Sequence, residues 1–184
     1  QGSVEATSNY SVTYVSANLT INALAITITA AAKTKVYGEL DPGLTYTISP
    51  SLKVGDSVSG ALSRNAGESV GTHTIIQNTL SVSSNYTVTY TSANLTITAK
   101  PLTIKAENKT KASGGSTPTF TYTLSGLVSP DSVTSVSLTF PDGSGGQTAT
   151  VPTLDGNYVI TPSAAVFGTG SSSNYVITYE TGTY

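Results

Sequence analysis

His73, in the stretch Gly-Thr-His-Thr-Ile (71–75), is the one histidine of the 184-residue chain, and cysteine is absent. A histidine acting as general base needs a nucleophile and an orienting carboxylate within hydrogen-bond reach. No such set is spaced around it, so His73 reads as a structural residue on a strand. The ten Asp and Glu are dispersed, with no Asp-rich loop of the kind that wraps Ca²⁺. Two acidic, glycine-bearing stretches stand out, Pro-Asp-Gly-Ser-Gly-Gly (141–146) and Leu-Asp-Gly-Asn-Tyr (154–158). Asp-Gly supplies the positive φ of tight hairpins, and turns are the simpler reading of both. Tyr158, Asn157, Asp155 and Asp142 within them remain the best ligand-binding candidates, because Tyr, Asn and Asp are the side chains a carbohydrate groove uses.

Other chemistry finds less support. No glycine-rich stretch ends in Gly-Lys-Ser/Thr or opens a helix, so no nucleotide fingerprint is present. No catalytic residue, cofactor or metal is therefore expected, and the chain is not expected to be an enzyme. The eight Lys and Arg are scattered singly and the net charge is −2, which leaves no basic stripe for nucleic acid. Lys35 and Lys111 are the candidates for a Lys–Asn/Asp isopeptide cross-link. Asn-x-Ser/Thr occurs at Asn9, Asn18, Asn85, Asn94 and Asn108 and reads as a product of composition and repeat copying rather than as glycosylation. "LAITITAAA" (24–32) alternates with Thr and is too short to cross a membrane.

The elements that would position these residues are strands. Thr (32) and Ser (26) make up about a third of the chain, and 11 Tyr stand against 3 Phe and no Trp. Tyr86, Val88 and Tyr90 share one face while Thr87, Thr89 and Thr91 share the other. The same alternation runs through Leu44, Tyr46, Ile48 and through Phe120, Tyr122, Leu124. Thr91-Ser92-Ala93-Asn94 reads as a hairpin loop between two strands of one pair. The best helix candidate, 55–67, carries the β-branched Val58 and an internal Gly, which allows a short helix at most. The expected fold is all-β.

The strands are written repeatedly. "SNYSVTYVSANLTINA" (8–23) and "SNYTVTYTSANLTITA" (84–99) agree at 13 of 16 positions, and "SNYVITYETGTY" (173–184) echoes both. "TITAAAKTK" (27–35) returns as "TIKAENKTK" (103–111), and Asp56-Ser57-Val58 as Asp131-Ser132-Val133. A repeat this long implies small domains, each with its own core. Three units follow: 1–23, the closing strand hairpin of a preceding repeat; 24–99, a complete repeat; and 100–184, a divergent one with extra residues in 140–158. No Gly/Ser linker parts the last two, and Pro101 stiffens the join at Lys100-Pro101.

The stretch 32–100, with Lys35-Val36-Tyr37-Gly38, Pro42, Leu44 to Thr47, Gly55-Asp56, Gly71 to Thr74 and Asn85-Tyr86 to Ile97, resembles the MBG ("mostly β-grasp"-like) repeats of large bacterial surface proteins. The likeness weakens over 100–184, where Ala112-Ser113-Gly114 replaces the Tyr-Gly turn. It implies tandem small β-grasp-like domains, with Ig-like β-sandwich repeats as the alternative fold. It also implies an extracellular, cell-surface adhesin segment that spaces a binding head from the cell, itself without catalytic residues. The expected partners are the neighbouring repeats, with host or surface glycans or proteins as candidates on 100–184. The 1–23 hairpin is expected to dock, either on 24–99 or head to tail on another molecule's open edge.

Overall fold

The computed structural model of the chain describes residues 8–184. The first repeat comprises β1 (Leu24–Ala30), β2 (Lys33–Val36), β3 (Tyr46–Ser49), β4 (Ser63–Arg64), β5 (Gly71–Ile76), β6 (Tyr86–Thr91) and β7 (Ala93–Thr98). The second comprises β8 (Lys100–Ala106), β9 (Tyr122–Ser125), β10 (Ser132–Pro141), β11 (Gln147–Thr148), β12 (Val159–Thr169), β13 (Tyr175–Glu180) and β14 (Gly182–Thr183). The fold is all-β; among the described residues the only helical element is a single 3-10 turn, Ser172–Asn174. The helix candidate 55–67 instead holds turns and β4, with Gly55 and Gly60 in the left-handed region, at φ 94° and 77°.

Each repeat has two small sheets: β3-β1-β6 and β2-β7-β5-β4 in the first, β13-β8-β9 and β11-β10-β12-β14 in the second. Two long, bent strands tie the sheets of the first repeat together. β1 runs into β2 through Ala31 and Ala32, and β6 into β7 through Ser92. The two lie parallel, Leu24 opposite Tyr86 and Lys33 opposite Leu95. The stretch expected to form a hairpin is therefore not one. β6 and β7 do not pair with each other; they pair with β1 and β2 and cross between sheets at Ser92.

The same register recurs in the second repeat, with Lys100 opposite Tyr175 in the parallel pair β8–β13. Thr103 faces Ser125 as Thr27 faces Ser49. Alternation fixes the inward face: Ile26, Ile28 and Ala30 are buried in β1, as are Leu102, Ile104 and Ala106 in β8. Burying each Ile or Leu contributes roughly 1.5–3 kcal/mol. Farther along, the second repeat repacks with rings. Phe120 stands where the first has Leu44 and Tyr184 where it has Leu95, and both pack edge-on against Phe140. The extra residues of 140–158 form the turn to β11 and a loop that leads into β12.

Residues 8–23 form no strand and are exposed throughout, while 1–7 lie outside the described residues. The expected hairpin is thus absent from 8–23, and it does not dock as a strand on 24–99. The topology of its twin explains why. At 84–99 the two strands gain their hydrogen bonds from β1, β2 and β5, not from each other.

Candidate functional site

The joint between the two repeats is built from backbone and side-chain contacts together. β7 ends at Thr98 and β8 begins at Lys100, so Ala99 alone separates them. The companion strand β2 ends at Val36, and Tyr37 follows, its N–H donating to the Thr98 carbonyl at 2.9 Å. Tyr37 then crosses into the second repeat. Its hydroxyl donates to Asp131 Oδ2 at 2.9 Å, and its ring meets the edge of Tyr175, centroids 5.5 Å apart at 80°. Gly38 allows this approach: its φ is +82°, and a Cβ there would lie 2.6 Å from a Val128 methyl. A second link runs from the Val70 N–H to Asn174 Oδ1 at 3.0 Å, and Asn174 is buried.

Asp131 belongs to a lock inside the second repeat. The Tyr175 hydroxyl donates to Asp131 Oδ2 at 2.5 Å and accepts from the Val128 N–H at 3.1 Å. Burial, reinforced by the Asp131 carboxylate, pushes the Tyr175 phenol up to about 12. The same two causes raise Tyr37. In the first repeat Tyr86 repeats the lock, donating to Asp56 Oδ2 at 2.5 Å and accepting from the Lys53 N–H at 2.9 Å. The bond to Asp56 raises the Tyr86 phenol as well. The echo of Asp56-Ser57-Val58 in Asp131-Ser132-Val133 was the trace of this lock in the sequence, but nothing local tied either Asp to its tyrosine or to Tyr37.

A quartet of charges lies behind the same turn. Lys35, with its side chain only 3% exposed, reaches Asp41 at 2.6 Å and Glu68 at 2.5 Å. Arg64 bonds Asp41 at 2.6 Å and also pairs with Glu68. The bond from Arg64, with that from Lys35, holds Asp41 down at about 2. Burial works against the Lys35 ammonium, but its two carboxylates outweigh burial and leave it raised. An isopeptide needs a neutral amine and an uncharged acid or amide, whereas here both partners are held as ions. Asp41, Arg64 and Glu68 carry no sequence signature that marks them as a set.

Three of the four sequence-predicted ligand residues come together. Asp155, Asn157 and Tyr158 line a cleft of about 360 Å³ in the second repeat, closed on the other side by Lys111 to Gly114 and by Tyr184. Tyr158 is tied down by donating to the Leu154 carbonyl. Asp142 is not part of this cleft. Its Oδ1 accepts from the N–H groups of Ser144 and Gly146, which is the turn role its Asp-Gly sequence implied. His73 sits on β5, with Nε2 3.0 Å from the Ser69 carbonyl oxygen.

No curated protein and no solved structure matches the chain. A family model described as MBG domain (YGX type) matches it twice, over 26–96 and 102–184. Those spans coincide with the two structural repeats, and the first contains the Tyr37-Gly38 turn that makes the joint. The chain belongs to the MBG domain (YGX type) family, as two of its repeats in tandem.

Proposed function

We propose that the chain is a non-catalytic spacer segment of an exported cell-surface adhesin, holding a binding region away from the cell. The joint carries this reading. One strand passes from repeat to repeat across a single residue, Ala99, while the parallel companion strand is carried over by Tyr37 against Tyr175 and Asp131. Repeats fixed at both strands hold a set distance, which a flexible linker would not. Small-angle scattering of the chain is the test, with an elongated particle of narrow length distribution expected; a compact-to-extended ensemble refutes the spacer. Protease shaving of intact cells that make the parent protein tests the location, and these repeats should be among the released fragments.

The cleft of the second repeat favours a second reading, a carbohydrate- or protein-binding module. Asp155, Asn157 and Tyr158 converge on it, and the first repeat lacks the extra residues within 140–158 that bring them there. Glycan-array binding by the chain that is lost in Tyr158→Ala supports this role. Equal binding by the variant removes it.

A further inference from the structure

We propose that the face of the first repeat formed by Asp56, Tyr86 and Asn85 is a docking socket for the Tyr-Gly turn of another repeat of this type, joined through residues 8–23. The occupied version of the socket is already present in the molecule. In the second repeat Asp131, Tyr175 and Asn174 receive Tyr37, Gly38 and Val70. Asp56, Tyr86 and Asn85 are their counterparts by sequence and by register, since Tyr86 opposes Leu24 as Tyr175 opposes Lys100. The Tyr–Asp bond is 2.5 Å in both repeats, and a backbone N–H closes both locks.

What differs is the cover. Asn174 is buried under the first repeat, whereas Asn85 and Asp56 are exposed. Lys53 stands where the second repeat has Val128, offering an aliphatic stem to a glycine turn in place of a methyl pair. The sequence identifies the occupant. Residues 8–23 match the β6–β7 stretch at 13 of 16 positions and run straight into β1 at Leu24, as β7 runs into β8. In a repeat that ends this way, β2 lies beside β7, so its Tyr-Gly turn falls at the start of the next repeat. The exit end of the second repeat differs, because Ala112-Ser113-Gly114 has replaced the tyrosine. The inference rests on the joint's geometry and stands whether or not the chain is a spacer.

The test inserts one repeat into the full chain, as residues 1–99 followed by 24–184, which recreates the junction seen at 23–24. Thr47 and Thr123 are exposed, equivalent positions on β3 and β9, and the chain has no cysteine to compete for label. Spin labels at Thr47→Cys in both copies of the first repeat read the new joint. Labels at the second copy's Thr47→Cys and at Thr123→Cys read the existing one. The expected result is the same distance and the same narrow distribution at both joints, with loss of the narrow peak at the new joint alone when the first copy carries Tyr37→Ala. A broad distribution at the new joint beside a narrow one at the old overturns the proposal, as does a narrow peak insensitive to Tyr37→Ala. A peak that grows with protein concentration also overturns it, and assigns the socket to a second molecule instead.

Discussion

Replacing Tyr37 by alanine should unfasten the joint while leaving both repeats folded, because Tyr37 lies on a turn outside the first repeat's core and meets the second repeat's core only as a partly buried neighbour at its rim. Two interactions dominate what is lost. The hydroxyl bond to Asp131 is charge-assisted, a class contributing about 1.5–3 kcal/mol net. Asp131 is only half-buried and keeps its bond to Tyr175, so the low end, about 1.5 kcal/mol, applies. The edge-on contact with the Tyr175 ring adds about 1 kcal/mol. A total of about 2.5 kcal/mol lowers the closed-to-open ratio on the order of 50–100-fold. What remains is the Val70–Asn174 bond and the covalent path through Ala99. Tyr37→Phe keeps the ring and should cost only about 1.5 kcal/mol, roughly tenfold. Spin labels at Thr47→Cys and Thr123→Cys report the result: one narrow distance in the parent, a broadened base in Tyr37→Phe, and a broad distribution in Tyr37→Ala. If Tyr37→Ala keeps a single distance of unchanged width, the side chains are incidental and backbone continuity alone sets the geometry.

The charge quartet should make the first repeat acid-sensitive. Asp41 is held at about 2 against an ordinary 3.8, so its stabilisation is complete above that ordinary value and disappears as pH falls through about 2. The effect is modest because the Asp41 side chain is 40% exposed. Thermal melts between pH 5 and pH 2 should show a shallower fall for Asp41→Asn, and an identical slope would count against the quartet. At the alkaline end Tyr175, raised from 10.0 to about 12, stabilises fully below the lower value and ceases to do so as pH rises through the upper one. Tyrosinate absorbance should accordingly lose a late-titrating component in Tyr175→Phe. Phe140→Ala removes the fully buried ring between Phe120 and Tyr184 and should cost about 3–5 kcal/mol in the second repeat. Calorimetry should then resolve a separate, earlier transition, while a melt unchanged from the parent would mean the aromatic cluster is not that repeat's core.

Strand identity was legible because alternation is local: Tyr86, Val88 and Tyr90 announce an inward face without reference to anything else. Strand partnership was not. Sequential strands joined by a short connection are usually neighbours, and that expectation made Ser92 a hairpin loop when it is a crossing point between two sheets. The repeat offset carried the correct answer in a form that one copy alone does not reveal, since β1 and β6 recur together as β8 and β13. The joint was half legible. Lys100-Pro101 announced a short connection, but Tyr37 and Asp131 are 94 residues apart, and no periodicity relates them. The ligand candidates divided on the same ground. Asp155, Asn157 and Tyr158 are contiguous with one loop and stay together, whereas Asp142 spends its carboxylate on its own turn.

The parallel setting of the long strands decides how the repeat responds to a pull along the chain. Tension enters the first repeat at the start of β1 and leaves at the end of β7. β1 pairs with β6 over six positions and β2 with β7 over four, all running the same way. Force applied to those two ends slides one bent strand along the other, so the slanted bonds of the parallel ladder are loaded together rather than opened one at a time from an end. A hairpin in the same place would have unzipped. The crossing at Ser92, which looks from the sequence like a simple reversal, is therefore what sets the two long strands of this small Thr-rich domain to meet such a pull in shear.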